Sequence, residues 1–251
     1  MLNYRRYGNG PALVLQHGFL GGSGYFEPQM AALGEAYDIV APDLPGFAGS
    51  AEEPPPATIK DLSQAQMALL NDLGIEKFSL LGHSMGGMVA LQTALDYPKR
   101  VEKLILYATS SSGYLPNRFE TFEETKQKVE REGLAKVAAS VTATWFRELA
   151  AAPMYSFCLD AGKGASKAAV LACLEAFPFW DVTQRMAELR MPTLVISGDA
   201  DRSYSVDGIV RLAGQIQSAE LCLLPGCAHC AHLEASDLFN SVVTNFLNKT
   251  H

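Results

Sequence analysis

The chain has 251 residues, 48% of them hydrophobic and 19% charged, with a formal net charge of −7. That length can bury a sizeable core and suits one large α/β domain as readily as two small ones, and the acidic balance supplies no basic stripe to neutralise a nucleic-acid backbone. No apolar run approaches the roughly 20 residues that span a bilayer, MLNYRRYGNG lacks the apolar centre of a signal peptide, and an odd five cysteines argue for a reducing compartment rather than a disulfide framework.

Short apolar runs bounded by turn residues recur along the chain: ALVLQHG (12–18), YDIVAPD (37–43), FSLLGHS (78–84), KLILYAT (103–109), TLVISGD (193–199) and ELCLLPG (220–226). They are rich in β-branched residues and leucine without polar alternation, as expected of a parallel sheet covered on both faces. Helical patterns lie between them at 59–73, 85–96, 206–215 and 236–247. The second stops at Tyr97-Pro98, where proline removes a donor and clashes with the preceding turn. This alternation predicts an α/β fold with a doubly wound, mostly parallel sheet.

Residues 114–190 break the rhythm, with helical stretches such as FEETKQKVEREGLAKVAASVTATWF and no strand pattern. The segment carries Trp145, Phe146, Phe157, Phe177, Phe179 and Trp180. A helical lid over the carboxyl ends of the strands is expected, because that is where open α/β sheets bind ligands. Residues 1–113 and 191–251 then form the core domain.

Gly82-His83-Ser84-Met85-Gly86 is a G-x-S-x-G between a predicted strand and a predicted helix. A sharp strand-to-helix turn there would expose the Ser84 hydroxyl, and the flanking glycines remove side chains that would collide with neighbouring backbone. A serine hydroxyl needs a base to remove its proton and an acid to orient that base. Asp199 and Asp201 sit just past one strand end, and the run GCAHCAHLEA (226–235) sits past another. Serine, acid and histidine thus follow in the chain order expected of such a fold.

These motifs, with HGF (17–19), DLPGFAGS (43–50), GHSMGG (82–87), PTLVISGDAD (192–201) and AHCAHLE (228–234), resemble those of α/β-hydrolase-fold serine hydrolases. The resemblance runs from His17 to the C-terminal helix. It implies Ser84 as nucleophile, Asp201 as the acid with Asp199 the alternative, and His229 as the base, with His232 and Glu234 opening the last helix. It also implies an oxyanion hole from the amides of Phe19 and Met85, a helical cap, and no cofactor. Relatives usually carry a strand before LNYRRYG, so the antiparallel edge is expected to be short or absent here.

Cys227, His229, Cys230 and His232 could instead suggest zinc. Four ligands from six consecutive residues would need contortion, because extended backbone points alternate side chains apart, and no second pair exists elsewhere. No metal is therefore expected, and both cysteines read as small apolar fillers. His17 is expected to hydrogen-bond within the loop shaping the oxyanion hole, and His83 to pack beside the elbow.

The activity expected is hydrolysis of small to medium carboxylic esters by a cytoplasmic enzyme with a small-molecule substrate and neither nucleic-acid nor membrane partner. Aspartate in place of Ser84 would imply dehalogenase or epoxide-hydrolase chemistry. Carbon–carbon bond hydrolases usually have asparagine at the His83 position and a tryptophan soon after the base, and this chain has neither. Lactonase, carbon–carbon hydrolase or cofactor-free haloperoxidase activity, or a ligand receptor that retains the triad, are the alternatives.

Overall fold

The computed structural model describes residues 1–115 and 118–250; residues 116 and 117 of the expected lid, and His251, lie outside the described residues. One sheet contains β1 Tyr4–Tyr7, β2 Ala12–Gln16, β3 Asp38–Pro42, β4 Phe78–His83, β5 Val101–Tyr107, β6 Thr193–Gly198 and β7 Glu220–Leu224. Their spatial order is β1-β3-β2-β4-β5-β6-β7, and every neighbouring pair is parallel except β1 with β3. Both β4 and β6 are buried at every position, which is why their sequences read as unbroken apolar runs. The antiparallel edge is present but short. Tyr4 pairs with Pro42 and Tyr7 with Ile39, and Arg6 forks onto Asp38 at 2.9 and 2.6 Å across the same edge.

The helices of the sheet layers are α1 Glu27–Leu33, α2 Ile59–Asp72 and α3 Met85–Asp96. The segment between β5 and β6 adds α4 Phe122–Glu132, α5 Leu134–Thr144, α6 Tyr155–Ala161 and α7 Lys167–Ala176, and no strand among its described residues. After β6 come α8 Val206–Gly214, α9 Ala231–Glu234 and α10 Ser236–Asn248. Short α1 gives too few turns to show a period. The sequence expectation that His232 opens the last helix is corrected: α9 is a separate turn, and Ala235, at φ −141°, breaks the chain before α10 begins.

The strand order reverses between β2 and β4, so the loops leaving those strands face each other across a crevice, the usual binding position in such sheets. The helical insertion closes tightly on this region. A Cβ at Gly22 or Gly113 would overlap the carbonyl of Ala161 or Phe177 respectively, so the two layers meet backbone to backbone. Among the described residues no helix is long and apolar enough to cross a membrane.

Candidate active site

Ser84 joins β4 to α3 with φ +57° and ψ −119°, a left-handed conformation that a non-glycine residue holds only under constraint. The constraint is visible on every side. The Ser84 amide donates to Tyr107 O at 2.9 Å, and the Thr109 hydroxyl donates to Ser84 O at 2.7 Å. A Cβ at Gly82 would overlap Gly86 O, and one at Gly86 would overlap Gln16 O, so both glycines of the motif are required by close backbone approach. The turn aims the Ser84 side chain out of the sheet while the N-terminus of α3 lies directly beneath it.

Across the crevice, the loop after β2 carries Phe19 between Gly18 and Leu20, the latter at φ +54°. A Cβ at Gly18 would come within 2.9 Å of Ser84 Cβ, which puts this loop against the elbow. Neither the Phe19 nor the Met85 amide donates to a protein acceptor among the described residues. His17 braces the loop from behind. Leu44 N–H donates to its Nε2 at 2.9 Å, so the proton is on Nδ1, which donates to Gly18 O at 2.8 Å. Burial lowers the His17 pKa and keeps the ring neutral.

His229 and Asp201 meet at 2.8 Å, Nδ1 to Oδ2, with both side chains almost wholly buried. The other carboxylate oxygen accepts the amides of Ser203 at 2.7 Å and Tyr204 at 3.2 Å, which fixes its orientation. Asp199 is spent elsewhere, accepting Gly226 N–H at 2.8 Å. Of the two aspartates, Asp201 is the one that hydrogen-bonds His229.

Beneath His229 lies a polar floor that sequence reasoning did not assemble. Gly18 N–H donates to Tyr25 Oη at 2.8 Å, leaving the Tyr25 hydrogen for His83 Nδ1 at 2.8 Å. His83 therefore carries its proton on Nε2 and donates it to His229 O at 3.0 Å. The same carbonyl accepts the Tyr107 hydroxyl at 2.8 Å. Tyr107 Oη in turn accepts His232 N–H at 3.1 Å and lies 3.0 Å from His232 Nδ1. With the proton on Nδ1, His232 donates to Tyr107 and leaves Nε2 as a buried unpaired acceptor, a cheaper orphan than an N–H. Burial, followed by the charges each would face on neighbouring histidines, holds the His83 pKa well below its ordinary value and brings His232 to about 3. Both stay neutral. One chain of bonds thus links the Phe19 loop, the elbow and the backbone of His229.

Above Ser84 and His229 is a narrow pocket walled mainly by Phe19, Met88, Phe122, Trp145 and Phe177. Phe177 meets Phe19 edge-on at 5.5 Å, and the Trp145 ring lies 5.9 Å from that of His229. Of the other aromatics singled out in the insertion, Phe146 is buried, Trp180 donates to Gln92 at 3.0 Å, Phe157 packs partly buried against the core, and Phe179 is exposed. Among the lining residues that escaped the sequence reading, two carry polar groups beside the triad. Tyr204 stacks on His229 at 5.7 Å and 17°, and burial raises its pKa. Arg118 is the other. Tyr204 is signalled only by its position three residues beyond Asp201, and Arg118 has no local signal.

The cysteine–histidine knot points four ways. His229 turns to Asp201 and His232 to Tyr107, while the Cys227 thiol lies 3.7 Å from Pro225 O and Cys230 Sγ lies 3.9 Å from Cys158 Sγ. Among the described residues no three His, Cys, Asp or Glu side chains converge as a metal site.

The family model for the alpha/beta hydrolase fold matches residues 11–236. The chain belongs to the α/β hydrolase fold family. Within it, the chain is 28% identical to a protein named as a carbamate hydrolase from Agrobacterium fabrum, over 94% of this chain and 93% of that one. It is 31% identical to a 2-hydroxy-6-oxononadienedioate/2-hydroxy-6-oxononatrienedioate hydrolase from Burkholderia vietnamiensis, covering 99% and 91%. The crystal structure of the enol-lactonase from Burkholderia xenovorans LB400 superposes with a TM-score of 0.88 at 25% identity, covering 99% and 96%. These α/β hydrolases act on different bonds, so membership establishes a hydrolase without choosing the bond.

Proposed function

We propose that this α/β hydrolase is a carboxylesterase-type serine hydrolase for small to medium acyl esters, with Ser84 as nucleophile, His229 as base and Asp201 as the orienting acid. The 2.8 Å bond between His229 Nδ1 and Asp201 carries the reading, because it leaves Nε2 as the basic nitrogen in the pocket that Ser84 lines. Ser84 attacks the ester carbonyl as Nε2 takes its proton, and the amides of Phe19 and Met85 receive the oxyanion. The imidazolium returns the proton to the departing alkoxide. Water, deprotonated by His229, then attacks the acyl-serine and releases the acid. No step needs a metal or a cofactor. Losing one oxyanion donor typically costs ~2.7–4 kcal/mol of transition-state stabilisation.

A carbamate and a lactone are both opened at an acyl carbon, as an ester is, so the relatives named for those substrates support acyl transfer. Residues 114–190 act in this reading as a cap whose apolar inner face closes the acyl pocket early, with 1–113 and 191–251 as the core. The five free cysteines accord with a cytoplasmic, reducing setting.

Two measurements test the reading. A fluorophosphonate should label Ser84 once per chain, and Ser84→Ala should lose both label and turnover. A series of p-nitrophenyl esters from acetate to palmitate should give its highest kcat/KM among short and medium chains. Preference for palmitate would indicate a lipase, and a single slow turnover with tight ligand binding would indicate a receptor.

A further inference from the structure

Among the described residues lining the pocket, Arg118 is the only Lys or Arg. Its guanidinium lies over the rings of Phe119 at 4.4 Å and Phe122 at 4.9 Å. Nη1 donates to Glu120 O at 2.7 Å and to the Thr125 hydroxyl at 3.0 Å, which pins the side chain to the start of α4. Among the described residues no carboxylate hydrogen-bonds it directly, and the Glu120 carboxylate is linked to it only through the Thr125 hydroxyl. That carboxylate is taken by Lys128 and by the Thr125 hydroxyl, the latter at 2.7 Å. Nε and Nη2 donate to no acceptor among the described residues.

The cation also stands close to the chemistry. Arg118 lines the same pocket as Ser84, Tyr204 and His229. Burial lowers the arginine pKa, yet a guanidinium stays charged at any pH at which the fold persists. Arg118 is partly buried against these rings, and its unpaired Nε and Nη2 stay accessible to a ligand in the pocket. A ligand carboxylate suits them, because its two oxygens match the planar fork. One positive charge suits a monoanion better than a phosphate dianion.

We infer that the pocket takes substrates bearing a free carboxylate remote from the scissile bond, gripped by Arg118 while Ser84 attacks the ester carbonyl. Half-esters of short dicarboxylic acids have that form. The inference rests on the reading of Ser84 as the nucleophile of an ester hydrolase, and it adds the substrate class.

The test compares methyl half-esters of succinate, glutarate and adipate with their neutral amide counterparts, in which CONH₂ replaces the free carboxylate. For at least one pair, kcat/KM should favour the carboxylate tenfold or more, and Arg118→Gln should lower that ratio at least tenfold. A purely structural arginine would lower both members equally and leave the ratio unchanged, which would overturn the inference. So would a wild-type ratio near one for all three pairs. If Arg118→Gln loses the wild-type circular dichroism, Arg118→Lys, which keeps the charge without the fork, should lower the ratio at least threefold, and an unchanged ratio would overturn the inference. Titrating the same pairs into Ser84→Ala reads binding without turnover. Tenfold tighter binding of the carboxylate with no hydrolysis by wild type would keep the grip and defeat the esterase reading. Hydrolysis without any carboxylate preference would do the reverse.

Discussion

The floor and the roof of the candidate site are built from opposite materials. Below Ser84, Tyr25, His83, Tyr107 and His232 form a fully buried polar layer whose bonds run from Gly18 to the carbonyl of His229. Above it, Phe122, Val141, Trp145 and Phe177 from the insertion are apolar, and Arg118 is the one charged exception among them. Directional bonds hold backbone at set distances, so the floor is suited to positioning the reacting groups. Apolar contact is graded by area and tolerates change, so the roof is suited to choosing the substrate. The insertion is tied to the loops that carry Asp201 and His229: Cys230 N–H donates to Trp145 O at 2.9 Å, the Glu234 carboxylate accepts the amides of Arg147 and Ala228, each at 2.6 Å, and the Arg202 guanidinium donates to Phe146 O at 2.7 Å.

This contrast can be broken most severely at the floor's reacting edge. His229→Ala should lower kcat by roughly four or more orders of magnitude, as loss of a triad member does, while His232→Ala, three residues away, should keep a substantial fraction of activity. Steady-state kinetics on p-nitrophenyl butyrate ranks the two, and the opposite ranking would reassign the base. The next effect is on stability. Tyr25→Phe strands Gly18 N–H and His83 Nδ1, and each buried group left unpaired costs about 1–3 kcal/mol. Urea unfolding should show that loss, with a lower kcat as the Phe19 loop loosens against the elbow.

A pH titration sharpens the same point. His17, His83 and His232 have pKa values lowered by burial, so below about 6.5 the unfolded chain binds protons that the native state refuses. Their contribution to stability is present above that pH and is lost as the pH falls, at up to about 1.4 kcal/mol per unit for each group. For His232 the window runs from about 6.5 down to about 3. Thermal unfolding from pH 7 to pH 5 should show the midpoint dropping, and a His232→Phe variant should flatten the slope. The smallest effect belongs to the roof. Phe177→Ala should shift the preferred acyl chain longer, each added CH₂ gaining at most about 0.8 kcal/mol, with kcat on acetate changed only a few-fold.

How much of this was legible in sequence follows from how local each cause is. β4 and β6 announced themselves because burial on both faces demands continuous apolar residues. The elbow was legible because close backbone approach permits only glycine at 82 and 86. α1 was missed because its seven residues show less than two full turns of pattern, and α9 was merged with α10 because nothing local marks the break at Ala235. The polar floor could not be read, since Tyr25, His83, Tyr107 and His232 come from four separate parts of the chain.

The sequence by itself determined the sheet, the order of serine, acid and histidine, and the helical character of the insertion, because periodicity and turn chemistry act over a few residues. Only the tertiary structure decided which aspartate faces His229, which way the cysteine–histidine knot points, and that Arg118 lines the pocket. Those outcomes depend on hydrogen bonds and burial between residues up to 125 positions apart. Two aspartates or two histidines a few residues apart look equivalent in sequence, and they become different groups only when the fold gives one a partner and the other a separate environment.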